Sequence, residues 1–173
     1  IYTIDIEVSA EDGFPNIQAA ASDVTAITVH DSSADTYHVW GTGGYVPHDQ
    51  TKTILYYECD DEDDLIEDFL QWWETNYPHI ITGWNCKFFD IPYLVNRIKY
   101  LDKKPARLSP VGILNDRNVF IAGRENQFYT LVGISTLDYI DLYKKFTYKV
   151  RESYRLDYIG SVELGMKKVS VED

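Results

Sequence analysis

Residues 82–98, TGWNCKFFDIPYLVNRI, set one aspartate behind two phenylalanines at the point where an apolar run turns into a helical pattern. Upstream, HIITGWN (79–85) reads as a short buried strand. Downstream, DIPYLVNRIKYL (90–101) reads as a helix with Pro92 in its first turn, where a missing backbone N–H costs nothing. A strand-to-helix junction is where open α/β sheets place their ligand sites. Asp90 is therefore a candidate functional carboxylate, although an N-cap for the helix would account for it as well. Asn85 is suited to closing the turn through its backbone, and Phe88 and Phe89 serve either core packing or base stacking.

Working outward, IYTIDIEVSA, VTAITVHDS, TYHVWGT and KTILYYEC precede the junction as four β-rich runs separated by polar or Gly-containing turns. ECDDEDDLIEDFLQWWETNYP (58–78) follows them as an amphipathic helix, its acids at the positive end of the dipole and Pro78 closing it. A calcium or partner site is the functional alternative for those acids, but the spacing fits no calcium loop and lacks its central glycine. Beyond the junction, DKKPARLSP is a basic loop, VGILNDRNVFIAG and QFYTLVGI are hairpin strands, STLDYIDLYKKF passes from strand to helix, and SYRLDYIGSVELGMKK is a last helix. Antiparallel strands followed by alternating helix and strand predict an α/β fold, a mixed β-sheet flanked by helices.

The chain has 173 residues, 45% of them hydrophobic and 14% aromatic, enough to bury one sizeable core, so residues 1–173 are expected to form a single domain. No run approaches the roughly 18 apolar residues of a membrane span and no leader opens the chain, which sets a cytoplasmic expectation. Cys59 and Cys86 form no CxxC pair and read as reduced thiols. The chain opens on Ile1 inside a strand-like run and its one methionine is Met166, features expected of a piece of a longer protein. A net charge of -12 argues against a surface that coats nucleic acid, since Lys and Arg supply most non-specific affinity, and any such contact must be local.

In Ile4-Asp5-Ile6-Glu7-Val8, side chains two apart share a face, so the two carboxylates stand side by side opposite the apolar residues. A solvent-facing strand would alternate in the same way. Like charges this close repel, however, unless a cation sits between them, and hard oxygen ligands suit magnesium or manganese. His30, His38, His48 and His79 show no metal-ligand spacing, and GTGG (41–44) lacks the Lys-Ser/Thr of a phosphate loop and reads as a turn.

Taken together and in order, TIDIEV, TGWNCKFFDIPYLVNRIK and ISTLDYIDLYKKF resemble the 3'-to-5' proofreading exonuclease domain of family B DNA polymerases, in its T-even-type bacteriophage form. The resemblance runs across nearly the whole chain and implies a ribonuclease-H-like sheet. It matches Asp5 and Glu7 to the first exonuclease motif and Asn85, Phe89 and Asp90 to the second. It implies hydrolysis of the 3'-terminal phosphodiester of single-stranded DNA with two divalent cations, Mg2+ or Mn2+. Asp5 would bridge the two, Glu7 would bind the one that activates water, and Asp90 the one facing the leaving oxygen. The implied partners are the 3' end of single-stranded DNA, primer-template DNA and the remainder of a polymerase chain, with the host cytoplasm as the setting. The segment from Val111 to Gly133 resembles the hairpin that helps hold primer and template apart, and an ordinary hairpin is the alternative.

The sequence departs from the family at the third motif, Tyr-x-x-x-Asp. Tyr154-Arg155-Leu156-Asp157 has the wrong spacing and falls at the start of the last helix, and the chain ends at Asp173. The expectation is a truncated exonuclease domain, impaired in cutting alone. The alternative is a non-catalytic module that binds a frayed 3' end or packs against the polymerase. Asp138 and Asp141 are rival third carboxylates, with helix capping or surface placement as their other readings. The resemblance places both outside the catalytic trio.

Overall fold

A computed structural model describes residues 1–9, 13–46, 50–121 and 123–166. Ala10, His48, Ala122, Lys167, Lys168 and Asp173, which entered the sequence expectations, lie outside the described residues. The elements in chain order are β1 (Tyr2–Val8), β2 (Val24–Asp31), β3 (Thr36–Gly41), β4 (Thr53–Glu58), α1 (Glu62–Thr75), β5 (Ile80–Thr82), α2 (Asp90–Tyr100), β6 (Leu114–Ile121), β7 (Arg124–Leu131), β8 (Ser135–Thr136), α3 (Tyr139–Phe146) and α4 (Leu156–Leu164). Among the described residues, six strands form one mixed sheet in the order β4-β3-β2-β1-β5-β8, and β6 and β7 form a separate two-stranded sheet. This is the mixed, helix-flanked sheet expected of a ribonuclease-H-like fold.

β1 alternates as its sequence dictates, with Tyr2, Ile4 and Ile6 buried and Thr3, Asp5 and Glu7 exposed. Its buried face meets α1 and α2 in a core that joins Ile4 to Phe69, Trp73, Ile81, Ile91 and Leu94. In α1, Leu65, Ile66, Phe69, Leu70 and Trp73 recur with helical spacing and are buried, while Asp61 caps the helix by accepting from the Asp64 N–H at 3.0 Å. The buried indoles keep their polar atoms satisfied: Trp73 donates to the Leu108 carbonyl at 3.1 Å and Trp40 to Asp68 at 2.8 Å.

Three local expectations are corrected. β4 runs parallel to β3, with Thr36 opposite Thr53, not antiparallel as a tight turn between them would have made it. The strand read over 79–85 stops at Thr82, so Gly83, Trp84 and Asn85 belong to the turn. DKKPARLSP is not all loop, since Pro105–Leu108 form a 3-10 turn that begins with proline.

A buried ion-pair hub fixes α2 against the rest. Arg97, 3% exposed, donates through Nε to Glu62 at 2.7 Å and through Nη1 to the carbonyls of Ala20 and Ala21 at 3.0 and 2.9 Å, and its Nη2 pairs with Glu62 and Asp23. Glu62 accepts in addition from the Val24 N–H at 2.6 Å. One guanidinium thus ties α1, α2 and the segment entering β2 together.

Candidate active site

The parallel strands β1, β5 and β8 end at one edge of the sheet. Thr3 lies opposite Thr82, and Ile81 opposite Thr136. Past that edge the Leu137 N–H donates to the Ile81 carbonyl and the Tyr139 N–H to the Gly83 carbonyl, each at 2.9 Å. Gly83 is required at this crossing: a Cβ there would lie 2.6 Å from the Ile4 carbonyl oxygen and 2.8 Å from Cys86 Cβ. The sequence turns away from the sheet here because only a residue without a side chain fits against β1.

Asn85 takes the left-handed conformation, φ 68°, which asparagine tolerates better than most residues, and its carbonyl accepts from the N–H groups of Phe88 and Phe89 at 3.1 and 3.0 Å. The chain is then coiled tightly enough for α2 to begin at Asp90. The N-cap is Phe89, with no side-chain cap bond, so the N-cap alternative for Asp90 is not what forms. The Asp90 carboxylate instead points back to β1 and accepts from the Ile6 N–H at 3.1 Å. It is 3% exposed, and burial, reinforced by the Asp5 charge, pushes it up to about 7.

Asp5, Glu7, Asn85, Phe89 and Asp90, all five sequence candidates, line one cleft of about 480 Å³ together with Trp84, Leu156, Gly160 and Leu164. A bulge between Glu7 and Val8 lies at its rim. Among the described residues, no three or more His, Cys, Asp or Glu side chains are gathered tightly enough to cage an ion. The site is an open row of carboxylates on one wall.

Phe89 both packs against the core and takes part in a surface ladder. Its ring lies 5.4 Å from Phe14 and 5.9 Å from Tyr93. Phe14 is 83% exposed, on the connection between β1 and β2. Sequence reasoning passed over Phe14; the signal was an aromatic in a Gly-Phe-Pro turn next to the carboxylate strand.

The rival carboxylates separate. Asp141 is exposed and lies 3.5 Å from the Lys87 ammonium. Asp138 is buried and does cap α3, accepting from the Ile140 N–H at 2.9 Å. Tyr154 is placed by its backbone, whose carbonyl accepts from the Trp84 indole at 3.0 Å. Cys59 and Cys86 are free and buried, and burial raises both thiols. His30 pairs with Asp35 and His38 with the Tyr57 hydroxyl, away from the cleft.

Residues 1–159 match the family model described as DNA polymerase family B, exonuclease domain. The chain is 36% identical to a DNA-directed DNA polymerase of Escherichia phage RB69, over 99% of this chain and 22% of that protein. It is 31% identical to the corresponding polymerase of Enterobacteria phage T4, over 92% of this chain and 20% of the relative. A DNA polymerase catalytic subunit of Elephantid herpesvirus 1 is 31% identical over 81% of this chain and 13% of its own length. The chain thus spans about a fifth of the length of the phage relatives it matches.

Proposed function

The chain belongs to the exonuclease-domain family of family B DNA polymerases, and from that premise we propose that it hydrolyses the 3'-terminal phosphodiester of single-stranded DNA, as the proofreading part of a DNA-directed DNA polymerase. The observation that carries the proposal is the convergence of Asp5, Glu7 and Asp90, from two elements far apart in sequence, on one cleft beside the half-buried Phe89 ring and the exposed Phe14 ring.

The donor set fits a pair of hard divalent cations, magnesium or manganese: three carboxylates, one of them buried at a cost that the neighbouring Asp5 charge increases. When bound, such cations lower the pKa of a water and neutralise charge at the scissile phosphate. Asp5 and Glu7 would hold them from the exposed face of β1, and Asp90 from the start of α2. Phe89 and Phe14 offer faces on which the terminal bases stack. Asn85 stands at the same wall, suited to a polar contact with the DNA. An overall charge of -12 keeps the contact local, so that a single-stranded end, not a long duplex, is the substrate.

The setting we propose is the cytoplasm, where buried free thiols stay reduced. Among the described residues no helix is long and apolar enough to cross a membrane. The remainder of a polymerase and its primer-template DNA are the partners, with residues 1–173 acting as one domain.

The test is shortening of a 5'-labelled single strand in Mg2+, in Mn2+ and in chelator, beside an Asp5→Ala, Glu7→Ala variant. Metal-dependent shortening that the variant lacks is expected, slower from residues 1–173 alone than from the intact polymerase. Binding without shortening in either metal would replace this reading with a non-catalytic end-binding module.

A further inference from the structure

Asp138 is 4% exposed, and its carboxylate is surrounded by backbone amides from two segments more than fifty residues apart. Oδ1 accepts from Asn85 at 3.2 Å and from Ile140 at 2.9 Å, and Oδ2 accepts from Lys87 at 2.9 Å. Capping α3 uses only the Ile140 bond. The other two grip the turn whose conformation decides where the cleft side chains stand. Asn85 must hold a left-handed φ there, and its carbonyl, together with that of Cys86, closes the coil that delivers Phe89 and Asp90.

We infer that Asp138 is a positioning residue for the cleft: by clamping the amides of Asn85 and Lys87 it fixes the turn that aims Asn85, Phe89 and Asp90, and touches neither cation nor DNA itself. The inference rests on the exonuclease reading. A charged acceptor suits the task, because amide-to-carboxylate bonds are shorter and roughly twice as strong as neutral ones. Groups that hydrogen-bond metal ligands directly change metal affinity by roughly 10- to 100-fold without being ligands, and a group that holds the backbone beside them should act toward the lower end of that range. The role differs from that of a substitute third ligand, since both oxygens already face N–H donors.

The test uses the full-length protein and three variants. Asp138→Asn keeps the size of the side chain and one acceptor oxygen but turns an NH2 group toward an amide. Asp138→Ala removes the clamp. Asp141→Asn removes one charge from the same helix and serves as the control. Expected for Asp138→Asn is amide exchange at Asn85 or Lys87 faster by roughly 10-fold, and a half-saturating Mg2+ concentration for cleavage raised by roughly 10-fold, the scale of supporting-group effects. The alanine variant should exceed both, and Asp141→Asn should match the wild type. Unchanged exchange and unchanged Mg2+ dependence in a folded Asp138→Asn overturn the inference. So does a rate that falls only with the folded fraction while Mg2+ half-saturation stays put, for that is a structural role alone. If Asp138→Ala does not fold, Asp138→Asn decides. If the wild type itself cleaves nothing, the exonuclease reading falls and takes the inference with it, whereas an active wild type matched by Asp138→Asn sinks the inference alone.

Discussion

The Ile6 N–H donates to Asp90 Oδ1 at 3.1 Å, so the first carboxylate of α2 is locked onto β1 between the positions of Asp5 and Glu7. Asp90→Asn keeps the acceptor and deletes the charge. Because the folded-state carboxyl is raised to about 7, above its unfolded value of about 4, its favourable contribution is full below the unfolded value and is lost as pH rises through the folded one. The metal-free wild type should therefore lose stability relative to Asp90→Asn between those pH values. At neutral pH the variant should melt several degrees higher, about 2–4 °C per kcal/mol for a chain of this size. Magnesium should stabilise the wild type more than the variant, and melting curves with and without Mg2+ check both points.

Phe14, exposed and 5.4 Å from the Phe89 ring, has little to contribute to folding. Phe14→Ala should leave the melting midpoint within a degree or two but raise KM for single-stranded DNA roughly 10-fold, within the ~1–3 kcal/mol of one stacked base. Steady-state cleavage of an oligonucleotide series measures it, and an unchanged KM would remove Phe14 from the binding surface.

Gly83 leaves no room for a methyl group against the Ile4 carbonyl. Gly83→Ala should cost about 1–3 kcal/mol, the usual range for overpacking. Cleavage should suffer more than the folded fraction does, since the displaced turn carries Asn85 and Asp90. Urea unfolding and activity, measured on the same preparation, separate the two effects.

Arg97→Met strips the largely buried Glu62, and the exposed Asp23, of their cation. A loss of roughly 3–5 kcal/mol is expected, as for other broken buried pairs. Simultaneous Glu62→Gln should recover part of it, because the uncompensated buried charge then disappears. A double-mutant cycle in urea tests the coupling.

What could be read ahead from the residues follows from range. The two faces of β1 are set by neighbours two apart, and the start of α2 by a proline and an apolar stripe, so Asp5, Glu7 and Asp90 could be assigned to their elements locally, and the family motifs placed Asn85 and Phe89 beside them. The direction of β4 is set by its pairing with β3, a contact between separate strands for which no local sequence pattern exists. Asp90 looked equally like a cap, because the choice between its own helix and the Ile6 amide is made by a strand some eighty residues away. Asp138 looked like a cap and is one, but its second engagement with Asn85 and Lys87 needs β8 to be docked beside β5 before it exists.

That docking has a consequence for synthesis. The edge of the sheet that carries the cleft is completed by Leu137 and Tyr139, which bond to Ile81 and Gly83. A ribosome-bound chain that has emerged only through α2 already contains Asp5, Glu7 and Asp90, yet lacks the strand end and the clamp that hold the turn in shape. The turn that carries Asn85 and Asp90 therefore gains its anchor late on the growing chain, once Leu137, Asp138 and Tyr139 have emerged to bond it.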